Sequence, residues 1–173
     1  LLALMAHFSH PAELSTDRAQ QAVRRIHSSG AAIRMQSPIA SHINDDPQAW
    51  VDLWREGARL GCIPYYQFVV RDTGAHRYFE LPLVRTWEIF SKAYRQVSGL
   101  ARTVRGPSMS AFPGKVLISG MTDLGGLPVF VLEYLQARDP ELVRRPVSAR
   151  LAPDAVRCEQ LRPARPSDEL FFS

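Results

Sequence analysis

Apolar and polar positions follow one another along the chain in blocks whose spacing predicts a short series of elements. Leu1 to Phe8 is an apolar run ending in Ser9-His10-Pro11, the pattern of a strand buried on both faces of a parallel sheet. Ala22, Val23 and Ile26 then line one face of a helix over 17–28. Ser15 or Thr16 is its cap, Asp17 favours its positive end, and Gly30 stands just beyond it. Residues 31–35 read as a second strand and 36–46 as a polar loop. Asp45 or Asp46 caps the next helix, with Pro47 at its first position, where a missing N–H costs nothing. Trp50, Leu53, Trp54, Gly57, Ala58 and Leu60 keep helical spacing until Gly61. A third strand over 63–70, a loop over 71–80 and a helix over 84–97, stopped by Ser98-Gly99, complete the series.

Strand, loop and helix in repetition predict a parallel α/β architecture. The repeat stops after about three units. Residues 116–119 and 129–135 read as an antiparallel hairpin joined through Gly125-Gly126, and the Pro- and Arg-rich tail from Arg138 is expected to pack irregularly on the outside. Three βα units cannot close a barrel. The expected fold is therefore α/β, the second half of a partial (β/α) barrel followed by a C-terminal β-hairpin and an irregular tail. Its segments are 1–100, 101–136 and 137–173. The chain starts without Met inside an apolar run, so a fragment once longer at its N-terminus is expected.

With 173 residues, 46% hydrophobic and 22% charged, wholesale disorder is excluded. Two cysteines, Cys62 and Cys158, exclude a disulfide scaffold and a self-contained cysteine metal centre. The net charge of +4 comes from arginines interspersed with acids, so no nucleic-acid partner is expected. No apolar run approaches the ~20 residues of a membrane helix, and Leu1 to Ala6 is too short to read as the apolar core of a signal peptide. The expected partner is a small molecule, no membrane is involved, and the cytoplasm is the expected compartment. Of 21 Lys+Arg, only Lys92 and Lys115 are lysines.

Ligands of parallel α/β folds bind beyond the carboxyl ends of the strands. There the chain places His7, Ser9 and His10, then Gln36, Ser41, His42, Asn44 and Asp45, then Gln67, Arg71, Asp72 and His76. That composition favours an anionic, hydrogen-bonding ligand. Arg105 to Lys115 reads as a loop with Gly and Pro at both ends that delivers a lysine to a strand entrance. Partial desolvation there would lower its pKa and free an amine for Schiff-base chemistry, which pyridoxal phosphate most commonly asks for. On local sequence alone an ordinary turn lysine is the simpler reading. Ser108 and Ser110 could contact a phosphate, although no P-loop pattern is present. Lys92 sits mid-helix, Cys62 opens a strand as a small hydrophobe, and Cys158 has no nearby His of metal spacing.

Together these blocks resemble the lysine 2,3-aminomutase-like radical S-adenosylmethionine enzymes. The resemblance runs from His7-Phe8-Ser9-His10-Pro11-Ala12-Glu13 through Gln36, Asn44-Asp45 and Pro64-Tyr65-Tyr66 to Pro113-Gly114-Lys115, over about residues 1–135. It implies a partial α/β barrel of the radical S-adenosylmethionine type that binds pyridoxal phosphate, S-adenosylmethionine and a [4Fe–4S] cluster and moves an α-amino group to the β-carbon of an amino acid. Lys115 matches the family's Schiff-base lysine. Gln36, Asn44, His7 and His10 match its cofactor-pocket blocks. The positions of the two aspartates that hold a lysine substrate's distal ammonium fall near Arg71 and Arg105, with Asp72 one residue away. A substrate with an acidic or neutral side chain, rather than free lysine, is therefore expected. The family's Cys-x-x-x-Cys-x-x-Cys motif is not in this chain, so S-adenosylmethionine and the cluster are expected only with an N-terminal half. The alternative is a truncated, non-catalytic domain that binds pyridoxal phosphate or a partner chain; a homo-oligomer is also compatible with the family.

Overall fold

In a computed structural model describing residues 2–112 and 114–172, the N-terminal apolar run forms strand β1 (Ala3–His7). Among the described residues it pairs with β2 alone, and Leu4 and Met5 are exposed, so the expected burial on both faces is not met. Thr16, not Ser15, caps α1 (Asp17–Ser28) by accepting the Ala19 N–H. β2 (Ala32–Ile39) continues four residues past the expected end, because Met35, Ser37 and Ile39 keep an alternating buried pattern through the polar letters. Asp46 caps α2 (Pro47–Arg59) by accepting the N–H groups of Gln48 and Ala49, while Asp45 accepts from His42 instead. Gly61, at φ +84°, closes the helix in the left-handed conformation that other residues resist. β3 (Ile63–Val69), a single turn α3 (His76–Phe79) and α4 (Leu83–Gln96) follow.

The expected loop over 105–115 is overturned. Residues Arg105–Ala111 form strand β4, parallel to β3, and the chain then reverses into β5 (Gly114–Leu124). Gly106 permits this: a Cβ there would lie 2.8 Å from the Gln67 carbonyl oxygen and 3.2 Å from the Phe90 ring. The hairpin of β5 with β6 (Leu127–Ala137) exists but is longer than expected, with only Gly125-Gly126 at its turn. The irregular tail is also corrected. Val147 and Ala149 turn inward on strand β7 (Pro146–Arg150), which pairs with β6. The last turn, α5 (Glu169–Phe172), brings Phe171 against Tyr134, whose hydroxyl donates to the Phe171 carbonyl at 3.1 Å.

The result is one seven-stranded mixed sheet in the order β1 to β7, parallel from β1 to β4 and antiparallel from β4 to β7. The helices bury one face of its parallel part. Ile33, Met35 and Ile39 of β2 pack with Trp50, Leu53 and Trp54 of α2 and with Ile89, Phe90 and Ala93 of α4. Each such fully buried large side chain is worth about 1.5–3 kcal/mol of transfer free energy. A second core joins Val116, Ile118, Phe130 and Leu132 to Ala155, Cys158, Leu161 and Phe171 of the tail. Strand alternation therefore sends Arg34 and Gln36 to the face opposite the helices.

Candidate functional site

Two irregularities shape that opposite face. Between β2 and β3 the register jumps, so that Met35 faces Pro64 and Gln36 faces Tyr66. The extra residue, Tyr65, turns its ring to within 4.3 Å of the Tyr66 ring. Between β3 and β4, Tyr66 pairs with Arg105 and Phe68 with Ser108, leaving Gly106 and Pro107 as the slack. At the carboxyl ends of β1 to β3 a cleft opens with two adjoining lobes.

The inner lobe, about 370 Å³, is lined by His7, Gln36, Phe68, Arg71, Ser108, Ser110 and Lys115. His7 Nε2 and Gln36 Nε2 lie 2.8 Å apart, and the His7 ring meets Phe68 edge-on at 6.1 Å. Lys115, opposite Ser110 in the β4–β5 hairpin, reaches back so that its Nζ stands 4.2 Å from the centroid of the buried Tyr66 ring. Burial, reinforced by the positive charges of Arg71 and Arg105, holds the Lys115 pKa below its ordinary value against the opposing influence of Tyr65. The outer lobe, about 500 Å³, shares Arg71 and adds Asp72, Arg157, Glu159 and Gln160. Asp72 is engaged there, 3.0 Å from Arg157 and 3.1 Å from His76, and Arg157 also holds Glu80 at 3.1 Å.

Six of the expected residues thus meet in the inner lobe: His7, Gln36, Arg71, Ser108, Ser110 and Lys115. Asp72 lies in the outer lobe, and Arg105 stacks on Tyr65 and Tyr66 at 4.5 and 4.8 Å. Others lie apart from the lobes, His10 and Asn44 among them. His10 accepts the Ala12 N–H as the cap of a single turn over Pro11–Leu14. Asn44 is 2% exposed and spends its amide on backbone: it accepts from Ala40 and donates to Ser9 and Pro38. Pro113 lies outside the described residues. Sequence reasoning named Tyr65 and Tyr66 only within a resemblance block, without a site role, and missed Arg34, whose guanidinium lies 4.8 Å from the Tyr65 centroid, as well as Phe68 and Arg157. Period-two spacing from Gln36 could have found Arg34; the bulge that aims Tyr65 and Tyr66 leaves no signal in composition.

Both cysteines are buried thiols. Burial raises Cys62, and burial together with Glu159 pushes Cys158 up to about 12. Among the described residues no three His, Cys, Asp or Glu side chains are placed to share a metal ion, and no helix is long and apolar enough to cross a membrane.

Fold and site together define an α/β protein with a cationic, hydrogen-bonding cleft around one desolvated lysine. Two proteins of Aquifex aeolicus (strain VF5), each named "Putative L-lysine 2,3-aminomutase", are similar to it. The first is 37% identical over 140 residues, which is 81% of this chain and 36% of that protein. The second is 27% identical over 110 residues, or 64% of this chain and 30% of that protein. No family model matches. The chain is a relative of the lysine 2,3-aminomutase-like proteins, and it spans about a third of the length of the curated relatives it matches.

Proposed function

We propose that this chain supplies the cofactor-anchoring portion of a pyridoxal-phosphate-dependent, aminomutase-type isomerase, with Lys115 as the anchoring amine. In this reading β1 to β4 are the closing strands of a partial barrel. The observation that carries the reading is Lys115 itself: an amine with a lowered pKa, seated on the Tyr66 ring at the edge of a cleft. The donor set suits the group. About 370 Å³ is within the ordinary range for a cofactor site. Arg71 and the Ser110 hydroxyl offer a cation and a donor for a phosphate, and the His7–Gln36 pair offers further polar atoms. When bound, pyridoxal phosphate supplies an electron-accepting ring conjugated to the substrate nitrogen, which eases movement of an amino group between neighbouring carbons.

The chain's own residues prepare that chemistry. Burial and the positive potential of Arg71 and Arg105 favour loss of the Lys115 proton, leaving the lone pair an aldehyde requires. Tyr66 fixes where the nitrogen stands. Arg71, at the junction of both lobes, holds the anionic end of whatever enters. A free lysine substrate fits poorly: at an effective dielectric of about 20, an ammonium roughly 6 Å from a guanidinium is repelled by about 3 kcal/mol. No donor set for an iron–sulfur cluster exists among the described residues, so no step through the cluster or S-adenosylmethionine is assigned to them.

The test is a titration of the protein with pyridoxal phosphate. A long-wavelength imine absorbance that is present in the wild type and lost in Lys115→Ala supports the reading. Absorbance that persists in Lys115→Ala, or never forms in the wild type, overturns it.

A further inference from the structure

The sheet face beside Lys115 carries more positive charge than a cofactor anchor requires. Arg34, Arg71, Arg105 and Lys115 gather there, and among the described residues none has a carboxylate within ion-pair distance. Arg59, Arg85, Arg144 and Arg157 pair with Glu or Asp while most other arginines among the described residues do not, so what marks this face is the convergence of its cations on shared tyrosine rings. Asp72, next in sequence to Arg71, is already held by Arg157 and His76.

Two of these cations are held in a common array. Arg34 lies 4.8 Å from the Tyr65 centroid, and Arg105 lies 4.5 Å from the same ring and 4.8 Å from Tyr66, the ring that also seats Lys115 at 4.2 Å. Attraction to an aromatic face holds a guanidinium in place without a carboxylate partner, and its fork of N–H donors suits the two oxygens of an oxyanion. The Tyr65 hydroxyl adds a donor. Burial acts to raise its pKa, but the Tyr66 phenol and the charges of Arg105 and Arg34 outweigh that and hold it below the ordinary value, as a positive environment does. An array of fixed cations without a carboxylate of its own is complementary to an anion.

We propose that Arg34, Tyr65 and Arg105 form a carboxylate-binding subsite adjoining Lys115, and that the amino acid taken up carries a carboxylate on its side chain. That the ligand is an amino acid rests on the reading of Lys115 above; the carboxylate subsite stands on the array alone. A phosphate could satisfy the same donors, so the experiment separates the two.

Calorimetric titration without cofactor uses glutarate, butyrate and inorganic phosphate on the wild type, Arg34→Gln, Arg105→Gln and Tyr65→Phe, each first checked for native circular dichroism. Glutarate should bind at least about tenfold tighter than butyrate, lose about tenfold or more in both arginine variants, and lose less in Tyr65→Phe. Equal binding of glutarate and butyrate, unchanged affinity in both arginine variants, or phosphate binding tighter than glutarate at the same residues overturns the proposal. With pyridoxal phosphate loaded, L-aspartate or L-glutamate should perturb the Lys115 absorbance at lower concentration than L-lysine, and L-lysine acting at equal or lower concentration counts against it. If no Lys115 absorbance forms, the cofactor reading fails while the calorimetry still decides the subsite.

Discussion

Asn44→Ala separates bracing from ligand binding at a residue that the family resemblance assigns to the cofactor pocket. Its side chain is 2% exposed and makes three hydrogen bonds: from the Ala40 N–H at 2.8 Å, to the Ser9 carbonyl at 2.8 Å and to the Pro38 carbonyl at 3.0 Å. Each such bond contributes a net ~1 kcal/mol, and the buried Ala40 N–H left without a partner adds a desolvation cost of about 1–3 kcal/mol. The expected loss is therefore about 4–6 kcal/mol, read as a fall of roughly 15 °C in Tm for a chain of this size. Urea unfolding supplies the free energy and thermal unfolding the midpoint. Saturation of Lys115 by pyridoxal phosphate, measured well below the midpoint, should match the wild type, since Asn44 lines neither lobe. A stability loss under about 1 kcal/mol would refute the bracing argument. So would a normal fold that no longer takes up pyridoxal phosphate, because the amide would then serve the ligand and not the loop.

The same structure makes four further expectations. Because the folded pKa of Lys115 lies below the unfolded value of 10.5, the unfolded chain binds the proton first as pH falls. Folding stability should rise with pH between the two values, and the rise should shrink in Lys115→Met; in parallel, the pH at which Lys115 becomes reductively methylated should move up in Arg71→Gln. Gly106→Ala forces a methyl against the Gln67 carbonyl and the Phe90 ring, so denaturant unfolding should show a loss of about 1–3 kcal/mol. Gln67 is wholly buried with neither amide atom partnered among the described residues; Gln67→Leu should raise stability by about 1 kcal/mol, and a loss in the same assay would mean the amide is satisfied. Cys158, held near 12 by burial, should resist a thiol reagent at pH 8 until the protein unfolds, so mass labelling of the native state should be negligible.

Much of the parallel half was legible because its signals are local. Thr16 and Asp46 cap helices, Gly30 and Gly61 end them, and Trp50, Leu53 and Trp54 fall on one face. What failed was non-local. β4 reads as loop because Gly106-Pro107 and two serines carry turn-forming letters; parallel pairing with β3 and burial of Ser108 and Met109 override them. β7 was hidden in the same way among prolines and arginines, although Val147 and Ala149 alternate inward. At the site, residues at strand ends were found and residues aimed by bulges were not. Tyr65 and Tyr66 share a face only because the β2–β3 register slips by one, and register depends on a partner strand that no local window contains.

The change from parallel to antiparallel pairing at β4 is what puts a strand-entrance lysine beside the cleft. In an unbroken βαβ series every strand begins at the end of the sheet opposite the ligand site, so a lysine opening the next strand would have stood at the bottom. A hairpin reverses the direction without a crossover, and β5 starts where β4 ends, level with the carboxyl ends of the parallel strands. Lys115, second residue of β5, therefore sits opposite Ser110 and can lay its stem down the face toward Tyr66, which pairs with Arg105 at the other end of β4. Residues ten apart in sequence, Arg105 and Lys115, end on adjoining tyrosine rings with Arg34 beside them. Had a helix replaced the turn, the amine and the arginine array would have been separated by the length of a strand.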